Sequence, residues 1–146
     1  MKVTFLLNRI QVTADCTPGT TLLEFLRNSE LYSVKYGCDD GRCGACSVII
    51  EDCVCNSCLV LVHTLSGKNV LTLEGLNEDE LVRNIQDRFL SEGAIQCGYC
   101  SPGMILSLAV LLRKNKKPAE TEIQEAISGN YCRCTGYVKP IKAMTK

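Results

Sequence analysis

The stretch Gly37-Cys38-Asp39-Asp40-Gly41-Arg42-Cys43-Gly44-Ala45-Cys46 sets three thiols into one short loop, spaced Cys38-x4-Cys43-x2-Cys46, and Cys58 follows after eleven more residues. This is the plant-type spacing for a two-iron, two-sulfur cluster. A compact anionic cluster needs backbone N–H groups aimed at its sulfurs and little bulk nearby. Gly37, Gly41, Gly44 and Ala45 give the loop both properties. The fourth thiol comes from a separate segment and closes the site. A competing set, Cys43-x2-Cys46-x8-Cys55-x2-Cys58, has the form of a structural zinc ribbon. It leaves Cys38 and the glycine-rich loop without a purpose.

The flanks of this loop read as a small sheet around one helix. Ser47 to Ile50 is expected to be a strand, followed by a turn at Glu51-Asp52. Upstream, Val3–Leu7 and the alternating Ile10, Val12 and Ala14 predict a hairpin turning at Asn8-Arg9. Pro18-Gly19 marks a loop, and Thr21-x-x-Glu24 predicts a capping box ahead of Leu22, Leu23, Phe25 and Leu26. A helical stretch is expected around Leu59–Thr64, then a closing strand at Val70–Leu73.

The second half changes to helical periodicity. Leu81, Val82, Ile85 and Phe89 recur at helical spacing, as do Met104, Ile105, Leu108, Leu111 and Leu112. Ser101-Pro102 predicts an N-cap and a proline at the first helical position. Lys114–Lys117 and Pro118 break the chain, Thr121-x-x-Gln124 predicts another helix start, and Gly129-Asn130 a stop. The expected division is residues 1–76 and residues 77–146, giving an α+β chain.

A second set of thiols brackets these helices: Cys97-x2-Cys100, then Cys132-x-Cys134 after 31 intervening residues. Two thiolates from each end of the helical region suit a two-iron cluster. They equally suit zinc on the same four ligands. Cys16, Cys53 and Cys55 read as small apolar residues rather than ligands, with one of Cys53 and Cys55 facing the core and the other solvent.

Composition narrows the function classes. Eleven cysteines among 146 residues is an odd count, which argues against a disulfide framework. The 16 basic and 16 acidic residues cancel, so no general pull toward nucleic acid or an anionic membrane is expected. No apolar run approaches the ~20 residues that span a bilayer. The apolar patch Phe5-Leu6-Leu7 is too short for a signal-peptide core, so the chain is expected in the cytoplasm. The chain carries no glycine-rich dinucleotide fingerprint, P-loop or nucleophile–base pair, and the single His63 reads as a surface or packing residue.

Several blocks, taken in order, resemble the molybdenum hydroxylase (xanthine oxidase) family. They are the Gly37–Cys46 loop, Ser57-Cys58-Leu59, Glu74-Gly75-Leu76, Gln96-Cys97-Gly98-Tyr99-Cys100-Ser101-Pro102-Gly103-Met104, and Ser128-Gly129-Asn130-Tyr131-Cys132-Arg133-Cys134-Thr135-Gly136-Tyr137. The first alone would say only ferredoxin; the others are specific to the family. The chain is similar to its stand-alone small iron–sulfur subunits, as in xanthine, nicotinate and carbon monoxide dehydrogenases and hydroxybenzoyl-CoA reductase.

The resemblance implies a β-grasp ferredoxin domain followed by a four-helix domain. It implies one [2Fe–2S] cluster on Cys38, Cys43, Cys46 and Cys58 and a second on Cys97, Cys100, Cys132 and Cys134. It further implies a large partner subunit carrying molybdopterin, near the second cluster, and a medium partner carrying FAD, toward the first. Gln96 and Cys134 stand where the family approaches the pterin; a buried Gln96 satisfied by its own loop is the alternative. The chain itself would hold no substrate site.

The departures are Arg9 and Asp52 in hairpin turns where glycine is usual, Tyr131 for a usual leucine, and the three extra cysteines. Pro140, at the expected start of a last helix, puts the docking of the tail in question. Asp39 and Asp40, if unpaired, would lower the first cluster's potential; a solvated acidic loop is the alternative.

Two other functions fit the residues. A free two-cluster carrier would be expected to be strongly acidic, which zero net charge does not match. A zinc-stabilised interaction module would be colourless.

Overall fold

A computed structural model describes residues 1–38 and 40–146; Asp39 lies outside the described residues. The first half is a five-stranded sheet in the order β2-β1-β5-β3-β4, with strands β1 (Lys2–Leu7), β2 (Ile10–Asp15), β3 (Ser47–Ile50), β4 (Cys53–Asn56) and β5 (Asn69–Leu71). β1 and β5 are parallel and the other pairs antiparallel. With helix α1 (Leu22–Asn28) across one face, this is the β-grasp arrangement.

Local chemistry accounts for the edges of these elements. Asn8, Arg9, Glu51 and Asp52 all take positive φ (52°, 70°, 49° and 65°), so both two-residue hairpins turn through the left-handed region without glycine. Asn8 has a compensating role: its Oδ1 accepts from Thr72 N at 2.8 Å and its Nδ2 donates to Thr72 Oγ1 at 3.0 Å. The capping box at α1 forms in full, with Glu24 N donating to Thr21 Oγ1 (3.2 Å) and Thr21 N donating to Glu24 Oε2 (2.9 Å). Ile10 is exposed as the first residue of β2, next to the hairpin turn. The Leu59–Thr64 stretch forms two short 3-10 turns, Ser57–Leu59 and Val62–Leu65, and the closing strand starts and ends earlier than its apolar run.

All four residues of β3 are buried, because the sheet is covered on both faces there. Val48 and Ile50 point into the core with Phe5, Leu23, Leu26 and Val70. Ile49 points the other way, with Leu71, into the core of the helical half. Full burial of side chains of this size contributes roughly 1.5–3 kcal/mol each, so the two halves are joined by apolar packing and not merely by a linker.

The helical half consists of α2 (Glu80–Glu92), α3 (Ser101–Lys114), α4 (Glu120–Ile127) and α5 (Val138–Thr145). Asp79 caps α2 by accepting from Val82 N at 3.1 Å, and Gly93 ends it at φ 66°. α3 begins one residue earlier than Ser101-Pro102 suggests: Cys100 is the N-cap and Pro102 the second helical residue. α4 likewise starts at Glu120, where Glu122 Oε2 accepts from Ala119 N at 2.7 Å. Pro140 does not prevent docking of the tail. It lies in the first turn of α5, where its missing N–H would have no intrahelical partner, and it is buried with Ala143 and Met144. Among the described residues no helix is long and apolar enough to cross a membrane.

Candidate metal centres

The loop between α1 and β3 and the turn after β4 bring Cys38, Cys43, Cys46 and Cys58 together. Cys46 and Cys58 form the inner side, packed against the sheet core, while Cys43 is half-buried and Cys38 exposed. Backbone N–H groups aim at the outer sulfurs: Arg42 N and Cys43 N each donate to Cys38 Sγ at 3.3 Å, and Ala45 N to Cys43 Sγ at 3.4 Å. Gly37 is required by this approach, since a Cβ there would sit 2.5 Å from Cys43 Sγ. The loop is braced from β4, where Asn56 Nδ2 donates to Gly41 O at 2.8 Å, and from Ser57, whose hydroxyl donates to Cys46 O at 2.8 Å.

The second group lies at the N-terminus of α3 and after α4. Cys100 and Cys132 pack against the helical core, while Cys97 and Cys134 are exposed. Tyr99 N donates to Cys97 Sγ at 3.5 Å and Thr135 N to Cys132 Sγ at 3.4 Å. The Thr135 hydroxyl lies 3.0 Å from Cys132 Sγ.

The proton affinities follow these surroundings. Burial pushes Cys58 up to about 11 and Cys100 up to about 12, with the neighbouring thiols of Cys46 and Cys132 adding. Burial also raises Cys43, with the Cys38 thiol adding. The Asp40 carboxyl acts to raise Cys38, but the N–H groups of Cys43 and Asp40 outweigh it and the net shift is downward. The Tyr99 N–H lowers Cys97, helped by the thiol of Cys134; Cys134 is raised by Cys97 in turn. Burial acts to raise Cys132, yet the hydroxyl and N–H of Thr135 bring it below the usual thiol value. A metal must displace these protons, and the N–H donors are already placed for the thiolates that result.

Among the described residues no three His, Cys, Asp or Glu side chains converge on a single-ion position. Within each group of four the strongest thiol–thiol interactions are Cys38 with Cys43 and Cys46 with Cys58 at the first site, and Cys97 with Cys134 and Cys100 with Cys132 at the second, with weaker ones across the pairs. Two thiolates per iron is the donor set of a two-iron cluster, whereas structural zinc takes four donors at one point. Four thiols in two pairs therefore fit a [2Fe–2S] group at each site. Cys55, which the ribbon-like set requires, packs half-buried against the sheet core, with Cys53 and Lys68 nearby, and burial raises its thiol.

The two groups are physically connected. Tyr131 N donates to Cys43 O at 2.9 Å, so one backbone hydrogen bond joins a first-site cysteine to the residue before Cys132. Asn130 reinforces this link from a buried position. Its Nδ2 donates to Gly44 O at 3.1 Å and Ser47 Oγ at 3.3 Å, and its Oδ1 accepts from Ser107 Oγ at 3.1 Å. Gly44, at φ 70°, admits this contact; a Cβ there would come within 2.7 Å of Asn130 Nδ2 and collide with Gly129 O. The Tyr137 hydroxyl accepts from Cys132 N and donates to Asn130 O, both at 3.0 Å. Sequence reasoning takes Asn130 only as part of a helix stop, because nothing local distinguishes a buried bridging amide from a C-cap.

The remaining candidates fall as follows. Gln96 is exposed, beside exposed Cys97, so the reading of a buried, self-satisfied glutamine is overturned. Asp40 pairs with Arg42 at 2.9 Å, so it is not an uncompensated acid beside Cys38. Cys16 is buried in the sheet core, Cys55 half-buried against it and Cys53 exposed. His63 is half-buried in a 3-10 turn, its Nδ1 without a hydrogen-bond partner.

The chain is similar to known iron–sulfur proteins over nearly its whole length. Residues 5–84 match the 2Fe-2S iron-sulfur cluster binding domain, and residues 72–145 the [2Fe-2S] binding domain. The chain is 48% identical over 123 residues to the nicotinate dehydrogenase small FeS subunit of Eubacterium barkeri, covering 84% of this chain and 78% of that protein. It is 41% identical over 139 residues to the xanthine dehydrogenase iron-sulfur-binding subunit of Escherichia coli O157:H7, covering 86% and 87%. Among solved structures, quinoline 2-oxidoreductase from Pseudomonas putida 86 superposes with a TM-score of 0.93 at 35% identity, covering all of this chain and 91% of that one.

Proposed function

We propose, for a chain that belongs to the small iron–sulfur subunits of the molybdenum hydroxylase family, how its own residues serve that family's electron transfer. It is the electron-transfer part of an oxidoreductase complex. We assign Cys38, Cys43, Cys46 and Cys58 to one [2Fe–2S] cluster and Cys97, Cys100, Cys132 and Cys134 to the other. Residues 1–76 and 77–146 are the corresponding units. The partners are a large molybdopterin subunit and a medium FAD subunit, and the complex acts in the cytoplasm on xanthine, nicotinate or a related heterocycle.

When bound, the clusters each store and release one electron. The protein contributes insulation, charge compensation and position. The backbone N–H groups of Arg42, Cys43, Ala45, Tyr99 and Thr135 compensate negative charge on the thiolates, which is one of the levers that set a cluster's potential. Packing of Cys46, Cys58, Cys100 and Cys132 against the two cores keeps water from one side of each site. The Tyr131–Cys43 bond and the Asn130 bridge hold the sites in fixed relation. Gln96, Cys97 and Cys134 lie on the exposed edge of the second site, where the molybdopterin subunit is assigned; the FAD subunit takes the first. Electrons cross the chain in that order.

The observation that carries this reading is the meeting of eight thiols as four pairs in two connected sites. The balance of 16 basic and 16 acidic residues supports fixed partners over a free, strongly acidic carrier. The test is anaerobic affinity purification of the chain from its host. Molybdenum and flavin arriving with one large and one medium polypeptide are expected. A lone brown protein with neither would overturn the partner assignment.

A further inference from the structure

We propose that Lys35 tunes the second cluster from the other half of the molecule: its ammonium is held against the Cys97–Cys100 loop and raises the reduction potential of that site. This rests on the cluster assignment above. Lys35 belongs by its backbone to the first site, where its N donates to Ala45 O at 3.0 Å. Its side chain crosses to the second, where Nζ lies 3.4 Å from Tyr99 O and 5.4 Å from the centroid of the Tyr99 ring. Tyr99 is the residue before Cys100, and its own N–H donates to Cys97 Sγ. A cation fixed at this carbonyl therefore sits beside the negative charge that reduction adds to the second cluster.

Among the described residues no carboxylate pairs directly with that charge, and the surroundings fix its position. Glu74, the nearby acid, is engaged with Ser33, accepting from its N at 2.8 Å and its hydroxyl at 2.5 Å. Arg27 is turned to the Val34 carbonyl at 3.2 Å and to the Tyr32 ring. Together these two residues brace the segment that carries Lys35. The Lys35 stem is half-buried while its bond to Tyr99 O lies at the surface, so the charge is held in place but partly screened by solvent and salt. Burial draws its pKa below the usual lysine value, and the thiols of Cys100 and Cys97, with Glu74, act against that.

The test is a redox titration of the purified complex, following the two reduced-state EPR signals; the second-site signal is the one altered in Cys134→Ser. Lys35→Met keeps the stem and removes the charge; Lys35→Gln is a second neutral variant, and Lys35→Arg keeps the charge. Both neutral variants are expected to lower the reduction equilibrium constant of the second site about tenfold, equivalent to about 59 mV for one electron. The first site should move less than about twofold, and Lys35→Arg should restore the second. Equal shifts of both sites, no shift, or failure of arginine to rescue would overturn the proposal. A parent complex without two iron-based signals would instead overturn the cluster assignment.

Discussion

Removing the Asn130 side chain should destabilise both halves of the molecule together. Asn130→Ala deletes two donor bonds, to Gly44 O and Ser47 Oγ, and the acceptor for the buried Ser107 hydroxyl. Net bonds of this kind contribute about 0.5–1.5 kcal/mol each, and an orphaned buried hydroxyl costs about 1–3 kcal/mol. Gly44 O and Ser47 Oγ still hold each other at 2.7 Å, which limits the loss on that side. The expected total is about 3 kcal/mol, a fall in Tm of about 6–12 °C for a chain of this size. Asn130→Asp should cost at least as much, because it sets an acceptor against the Gly44 carbonyl. The assay is thermal unfolding of protein matched for iron content, followed by far-ultraviolet circular dichroism and visible absorbance. A Tm within about 2 °C of the parent would refute the bridging role, as would loss of one site's absorbance well before the other's.

Arg9→Gly and Asp52→Gly should each raise stability by about 1 kcal/mol, read as a denaturant midpoint, because they relieve left-handed backbone at side chains that do not gain from it. Asn8→Gly should not help, since it gives up the Thr72 contacts. Glu92, paired with Lys142 at 2.8 Å and with Lys146, has its pKa lowered to about 2 by these two lysines. Its folded pKa lies below the unfolded one, so its contribution is full above the ordinary carboxylate range and fades as pH falls toward about 2. The Tm difference between parent and Glu92→Gln should therefore be largest near neutrality and narrow as pH is lowered; a difference that does not change with pH would exclude this pairing. Cys55→Ser should leave the iron content unchanged, and loss of first-site iron in that variant would restore the ribbon-like ligand set.

Much of this was legible from local chemistry. The Thr21 capping box, the strand at Ser47–Ile50 and the two hairpin turns depend on neighbours a few residues apart, and the structure has them where the residues place them. What escaped depends on partners distant in the chain. Pro140 looks like a helix breaker until α5 is seen to begin two residues before it. Ile10 follows the period-2 pattern but is exposed at the first position of β2, where the chain leaves the turn. Asn130 and Lys35 each act across about half the chain, on Gly44 and on Tyr99, and neither has a sequence neighbour that marks it. For the thiols, spacing alone left zinc and iron both open; their meeting in pairs favours the two-iron centre.

The most direct test of the central claim is metal and sulfide analysis of the anaerobically purified chain together with EPR of its reduced form. Two two-iron clusters require about four irons and four acid-labile sulfides per chain and two distinct signals, one for each cluster. Cys134→Ser should alter only one of them. A colourless protein with one zinc per four thiols, or both signals lost together in that variant, would contradict that claim.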